Sequence, residues 1–223
     1  MAKKFNLLGH EERLTRDISS RLSGKVENQK IAMKYGKEYF DGSRQHGYGG
    51  YFYDGRWVDV ANRLIQRYGL NGNSKFLDVG CAKGFLMHDL SHECPGLSAR
   101  GIDISVYARD NAWGETKELI DLGTCTSLPY PDNYFDASVA INTIHNVNYD
   151  GCKQAILELI RVTKNKHNIF VQVDAYSNQS ELELFEAWVL TAQTYMMPDE
   201  WLKLFEQVGF EGDYFWTIIG FSG

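Results

Sequence analysis

The sequence predicts a doubly wound, mostly parallel α/β sheet, and three observations carry that reading. The apolar run Phe76–Val79 ends in Gly80-Cys81-Ala82-Lys83-Gly84 and opens into an amphipathic segment from Phe85, the pattern of strand, tight turn and helix. A second apolar run ends in the acid Asp103, 19 residues after Gly84, which is the spacing of a nucleotide-binding βαβ unit. Strand-like and helix-like stretches then alternate to the end of the chain, as a parallel sheet covered by helices on both faces requires.

Taken in order, residues 10–36 read as one or two helices, Glu11 to Leu22 and Gln29 to Tyr35. Residues 39–57 hold five glycines and seven aromatics, a composition for loop rather than helix. From Arg56 to Tyr68, the apolar residues Trp57, Val60, Ala61, Leu64, Ile65 and Tyr68 fall on one helical face, stopped by Gly69. Strands are then expected at Lys75–Val79, Ser98–Ile104, Glu118–Leu122, Phe135–Asn142, Asn168–Asp174 and Tyr214–Phe221. Between them, helices are expected at Phe85–His92, Val106–Trp113, Gly151–Val162, Ser180–Ala192 and Pro198–Val208, the last opened by proline and closed by Gly209. Two parts follow: an N-terminal helical segment with a glycine-aromatic lid over residues 1–55, and a nucleotide-binding domain over 56–223.

Composition bounds the function. A net charge of −6 argues against nucleic acid as the main partner. No apolar run has the length of a membrane span, and the N-terminus lacks a signal-peptide core, so a cytoplasmic location away from membranes is expected. The four cysteines show no zinc spacing, read as reduced thiols, and leave no metal site in prospect.

The loop lacks the sixth-position glycine of a dinucleotide fold, which weakens a NAD-dependent dehydrogenase reading. Its acid-x-G-x-(G/A)-x-G form, Asp78 to Gly84, resembles motif I of the class I S-adenosylmethionine-dependent methyltransferases. The resemblance covers roughly residues 56–222 and implies that fold, S-adenosylmethionine as cofactor, and methyl transfer to a small-molecule acceptor. It implies a cofactor site of Asp78, Gly80, Cys81, Ala82, Gly84, Asp103, Ile104, Thr124, Cys125 and Asn142. There Asp78 answers the methionine ammonium and Asp103 the ribose hydroxyls. Many members carry an acid at the adenine loop where this chain has Thr124, which puts an acidic adenine contact in doubt. Only 14 residues follow Gly209, too few for the family's closing hairpin, so a shortened sheet is expected.

Asn142-Thr143-Ile144-His145-Asn146 leaves the fourth expected strand where this family places reacting groups. His145 is therefore the candidate general base, with substrate positioning or simple helix capping as its other readings. In the glycine-aromatic segment, Tyr48, Tyr51 and Tyr53 are candidates to shield the reaction, and Arg44 and His46 to hold an anionic group. The alternative is that these rings pack the N-terminal helices onto the sheet. Tyr176 is a candidate for the acceptor pocket, Trp188 reads as core and Lys83 as solvated. The segment around Arg44 is also similar to parts of bacterial surface-polysaccharide and capsule methyltransferases, which favours O-methylation of a phosphorylated or nucleotide-linked sugar. A silent cofactor-binding module and a general metabolite N- or O-methyltransferase are the other readings, and a homodimer is left open.

Overall fold

A computed structural model describes residues 1–16 and 18–220. Its N-terminal part contains β1 (Lys3–Lys4), β2 (Arg13–Thr15), α1 (Ser19–Leu22), α2 (Lys25–Ala32), α3 (Lys37–Phe40) and α4 (Val58–Tyr68). The alternating part follows as β3 (Lys75–Val79), α5 (Phe85–Glu93), β4 (Ser98–Asp103), α6 (Val106–Asp110), β5 (Ile120–Leu122) and β6 (Ala137–Ile141). It continues with α7 (Tyr149–Val162), β7 (Ile169–Ala175), α8 (Gln179–Trp188), α9 (Pro198–Gln207) and β8 (Asp213–Gly220). Phe221, the last residue of the expected final strand, lies outside the described residues.

The strands form one sheet in the order β1-β8-β7-β6-β3-β4-β5, with β2 also on β8, and every pairing between them is parallel. Strand order reverses between β3 and β6, and a crevice forms at such a switch point, outside the carboxyl ends of the strands. Helix α4 does what its periodicity requires: Val60, Ala61 and Leu64 are buried, and Gly69 closes it in a left-handed conformation at φ +62°. Alternation along each strand divides the core. Leu77 and Val79 pack with α7 and α9, whereas Phe76 packs with α4, α5 and Leu7. No described helix is long and apolar enough to cross a membrane.

The expected helix over Glu11 to Leu22 is a correction: residues 13–15 form strand β2, and only Ser19–Leu22 is helical. The cause is non-local. Strand β8 is buried along nearly its whole length, and its outer edge needs hydrogen-bond partners. Segments β1 and β2 supply them, with Ile218 N–H donating to the Glu12 carbonyl at 2.8 Å and the Trp216 indole to the Glu12 carboxylate at 2.6 Å. No antiparallel closing hairpin occurs among the described residues; the sheet nevertheless reaches eight strands, because β1 and β2 from the N-terminus cover the edge of β8.

The start of β8 is tied to α4 by a two-pronged ion pair. Arg67 Nε and Nη2 each donate to Asp213 at 2.7 Å, and Asp213 is 2% exposed. Removing the carboxylate strands a partly buried guanidinium, so Asp213→Ala should cost about 2–3 kcal/mol in urea unfolding, less than a fully buried pair because Arg67 reaches solvent. A loss within a few tenths of a kcal/mol would show that the pair does not anchor this edge.

Candidate functional site

The β3–α5 loop is built by close contacts. A Cβ on Gly80, at φ +81°, would lie 2.0 Å from Thr143 Oγ1. The glycine is thus required by the exit of β6 beside it, ahead of any ligand. Ala82 adopts φ +49°, an uncommon conformation for a residue with a side chain, and is held there by its N–H, which donates to Asp103 Oδ2 at 2.8 Å. Ser105 N–H donates to the other oxygen at 2.8 Å. Two adjacent strand ends therefore present Asp78 and Asp103, 5% and 9% exposed. Burial, then the charge of Asp103, pushes the Asp78 carboxyl up to about 7. Burial also raises Asp103, against the pull of the Ser105, Ala82 and Ile104 N–H groups. Neither acid has an ion-pair partner among the described residues, an arrangement that calls for a polar or cationic ligand.

A cavity of about 540 Å³ opens from this loop, lined on that side by Asp78, Gly80, Cys81, Ala82 and Asn142. Asn142 is another non-glycine residue with positive φ, at +52°. Gly84 is not on the wall; it sets the start of α5 at φ +74°, packed against Thr116. Asp103, Ile104, Thr124 and Cys125 also lie off the cavity wall, at the far ends of β4 and β5, with Asp103 reaching the loop through the Ala82 N–H. Ile104 is 56% exposed there, while Thr124 contacts Thr126 and Cys125 is buried.

At its other end the cavity reaches His145 and Asp174. The His145 ring is buried, with Nδ1 accepting from the Asp174 backbone N–H at 3.2 Å and Nε2 3.6 Å from the Asp174 carboxylate. An accepting Nδ1 puts the proton of the neutral ring on Nε2, facing the acid. Burial lowers the His145 pKa, and burial raises that of Asp174 although His145 and Arg16 oppose it. With both nitrogens engaged, His145 lacks the free lone pair expected of a general base; Asp174, buried like His145 and also on the cavity wall, is the other acid–base group of the pair. Sequence reasoning missed this residue, although a signal existed: Gln172 and Asp174 are polar at period 2 within an otherwise apolar strand.

Cations form the wall opposite. Arg21 is 4% exposed and donates to the carbonyls of Arg44 at 3.2 Å, Trp188 at 2.8 Å and Gly47 at 2.7 Å. Arg44 donates to the Tyr48 carbonyl at 2.9 Å. Arg16 and Arg21 lie 5.7 and 4.7 Å from the Trp188 ring centre. Trp188, read as core, packs against the Phe185, Val189 and Ile219 cluster and also forms part of the cavity wall.

The glycine-aromatic segment packs on the loop and also borders the cavity. Tyr51 stacks on Phe85 at 4.8 Å and Tyr48 lies 4.4 Å from Tyr51, and both tyrosines line the cavity. Lys83 is a correction: it is 7% exposed, and its ammonium lies 2.7 Å from both Asp41 oxygens. Three further residues stand off the wall. Tyr53 donates to Asp89 at 2.6 Å and stacks on Trp113; His46 sits 3.9 Å from Glu38; Tyr176 follows β7 outside the cavity.

Residues 77–171, from β3 into β7, match the methyltransferase-domain family. That stretch is similar to methyltransferase domains, and the fold around it is the Rossmann-like fold of class I methyltransferases. The match and the fold imply S-adenosylmethionine as methyl donor. The fold is similar to that of the YcgJ protein of Bacillus subtilis, at 19% identity and TM-score 0.55 over 66% of each chain, just under two thirds of YcgJ. It is similar, at 16% identity and TM-score 0.55, to a putative methyltransferase solved with the Trm112 activator of Haloferax volcanii, over 88% of this chain and 77% of that one. The [4+2]-cyclase SpnF shares 18% identity at TM-score 0.55, over 89% of this chain and 75% of SpnF. No curated protein sequence matches the chain. Likeness at this level is likeness of fold, and the site must supply the chemistry.

The unpartnered Asp78 suits the methionine ammonium, and its pKa gives a test. An acid with a raised folded-state pKa must ionise to pair with an ammonium; above about pH 7 it already has, and below that binding must release its proton. Affinity for S-adenosylhomocysteine should therefore fall about tenfold from pH 8 to pH 6, and Asp78→Asn should flatten the dependence. Calorimetry showing the same slope in both proteins would remove Asp78 from the ammonium site.

Proposed function

We propose that this chain is an S-adenosylmethionine-dependent methyltransferase that O-methylates a small anionic acceptor, a phosphorylated or nucleotide-linked sugar of the kind used as a capsule precursor. The observation that carries the reading is the single cavity joining the Asp78–Gly80 loop to Arg44 at one wall and Asp174 at another. Residues 1–55 act in this reading as the lid, latched to the cofactor loop through Asp41 and Lys83. A cationic wall disfavours a protonated amine acceptor and suits an acidic one.

When bound, S-adenosylmethionine supplies a methyl group activated on a sulfonium. The chain's part is alignment, exclusion of water and removal of one proton. Asp78 and Asp103 fix the two ends of the donor, and Tyr48 and Tyr51 cover the cavity. Arg44 holds the acceptor's anionic group so that its hydroxyl oxygen faces the methyl. A donor held there would supply the sulfonium methyl, leaving its electron pair on the departing sulfur, and Asp174 would take the proton of the acceptor hydroxyl. His145 Nε2–H stands beside the Asp174 carboxylate and orients it, which moves the expected base from His145 to its neighbour.

The experiment is release of S-adenosylhomocysteine with a panel of sugar phosphates, sugar nucleotides and the matching neutral sugars. Turnover should require the phosphorylated forms. Arg44→Ala should raise the acceptor KM, whereas Asp174→Asn should lower kcat by roughly 10²-fold. Faster turnover of the neutral sugars, or wild-type kcat in Asp174→Asn, would contradict the assignment.

A further inference from the structure

The cationic wall contains more than Arg44 alone. Arg16 comes from the segment between β2 and α1, Arg21 from α1, Arg44 from the glycine-aromatic loop and Trp188 from the end of α8, and all four line the cavity. The two guanidiniums of Arg16 and Arg21 share one indole, and Arg21 and Arg44 share the Gly47 carbonyl. Among the described residues none of the three arginines forms a salt bridge: the donors of Arg21 and Arg44 go to neutral carbonyls, and Arg16 feels the Asp174 carboxylate only at longer range. Carbonyls fix a guanidinium in place but do not neutralise it. Burial, then the charge of Arg44, lowers Arg21 to about 10, the mark of cations crowded together in a poorly solvated place. The Trp188 indole N–H, removed from solvent, has no acceptor either. A buried donor of this kind costs free energy unless a ligand meets it.

We propose that Arg16, Arg21, Arg44 and the Trp188 indole N–H form a phosphoryl-binding subsite, which takes a dianionic phosphate or a diphosphate rather than a single carboxylate. This rests on the reading of an anionic acceptor and narrows its class. Three cations, Arg21 buried and Arg16 and Arg44 exposed at the cavity edge, exceed what one carboxylate neutralises, and planar guanidiniums suit the several oxygens of a phosphoryl group. Binding there would also join three separate chain segments, so the anion would fasten the N-terminal lid as it enters.

The test is calorimetry of the full chain with pyrophosphate, orthophosphate and acetate, each with and without S-adenosylhomocysteine. Pyrophosphate or orthophosphate should bind, the tighter of the two showing whether the subsite takes a diphosphate or a single phosphoryl group, and acetate should not. Arg16→Gln and Arg44→Gln should each weaken the phosphoryl ligand by about tenfold, and Trp188→Phe, which keeps the ring and removes the N–H, by about fivefold. Because Arg21 ties three carbonyls, its replacement risks the fold and is not needed. Bound phosphate should also slow proteolysis within residues 42–55. Absent phosphoryl binding, or binding unchanged in Arg16→Gln and Trp188→Phe, overturns the subsite. In that case S-adenosylhomocysteine binding separates the two failures: if it persists, the methyltransferase site stands without this subsite.

Discussion

Two carboxylates buried side by side are the constraint around which this molecule is arranged. Asp78 and Asp103 end neighbouring parallel strands, nearly out of solvent, with no cation of the described chain beside them. Such a pair is unfavourable in isolation, and the surroundings show how it is tolerated. Two backbone N–H groups cap Asp103, which forces Ala82 into its left-handed conformation. Asp78 has no such cap and is pushed toward protonation. The loop shape, the start of α5 and the exit of β6 against Gly80 all follow from holding these two acids at the sheet's switch point.

The N-terminal segment depends on the same place. It repairs the edge of a sheet that lacks a closing hairpin, and in doing so carries Arg16 and Arg21 to the crevice. Its next stretch lays Tyr51 on Phe85 and pairs Asp41 with Lys83, so the β3–α5 loop and the glycine-aromatic segment are one packed unit. Edge strand, aromatic cover and cationic wall are consequences of a single chain path. A change that frees β1 and β2 from β8 is therefore expected to disturb the arginine-lined wall of the cavity.

Much of this was legible in the sequence where the signal was local. Apolar runs that end in glycine or acid marked β3 and β4, helical periodicity marked α4 and α7, and the acid-glycine spacing placed Asp78, Gly80 and Asp103. Non-local pairings were not legible. Residues 13–15 look no more like a strand than a helix until the open edge of β8 is known. Lys83 reads as solvated because its partner Asp41 lies 42 residues upstream. Arg16, Arg21 and Trp188 share no spacing and meet only through the fold. Asp174 is a different case: the alternation of Gln172 and Asp174 in an apolar strand signalled a polar face, and His145 beside it drew the role of base.

The most direct measurement is a crystal structure of the full chain with S-adenosylhomocysteine. The account predicts the ribose hydroxyls on the Asp103 carboxylate, the amino group beside Asp78, and the sulfur facing the cavity shared by Arg44 and Asp174. A ligand seated elsewhere, or one whose sulfur points away from that cavity, would contradict it.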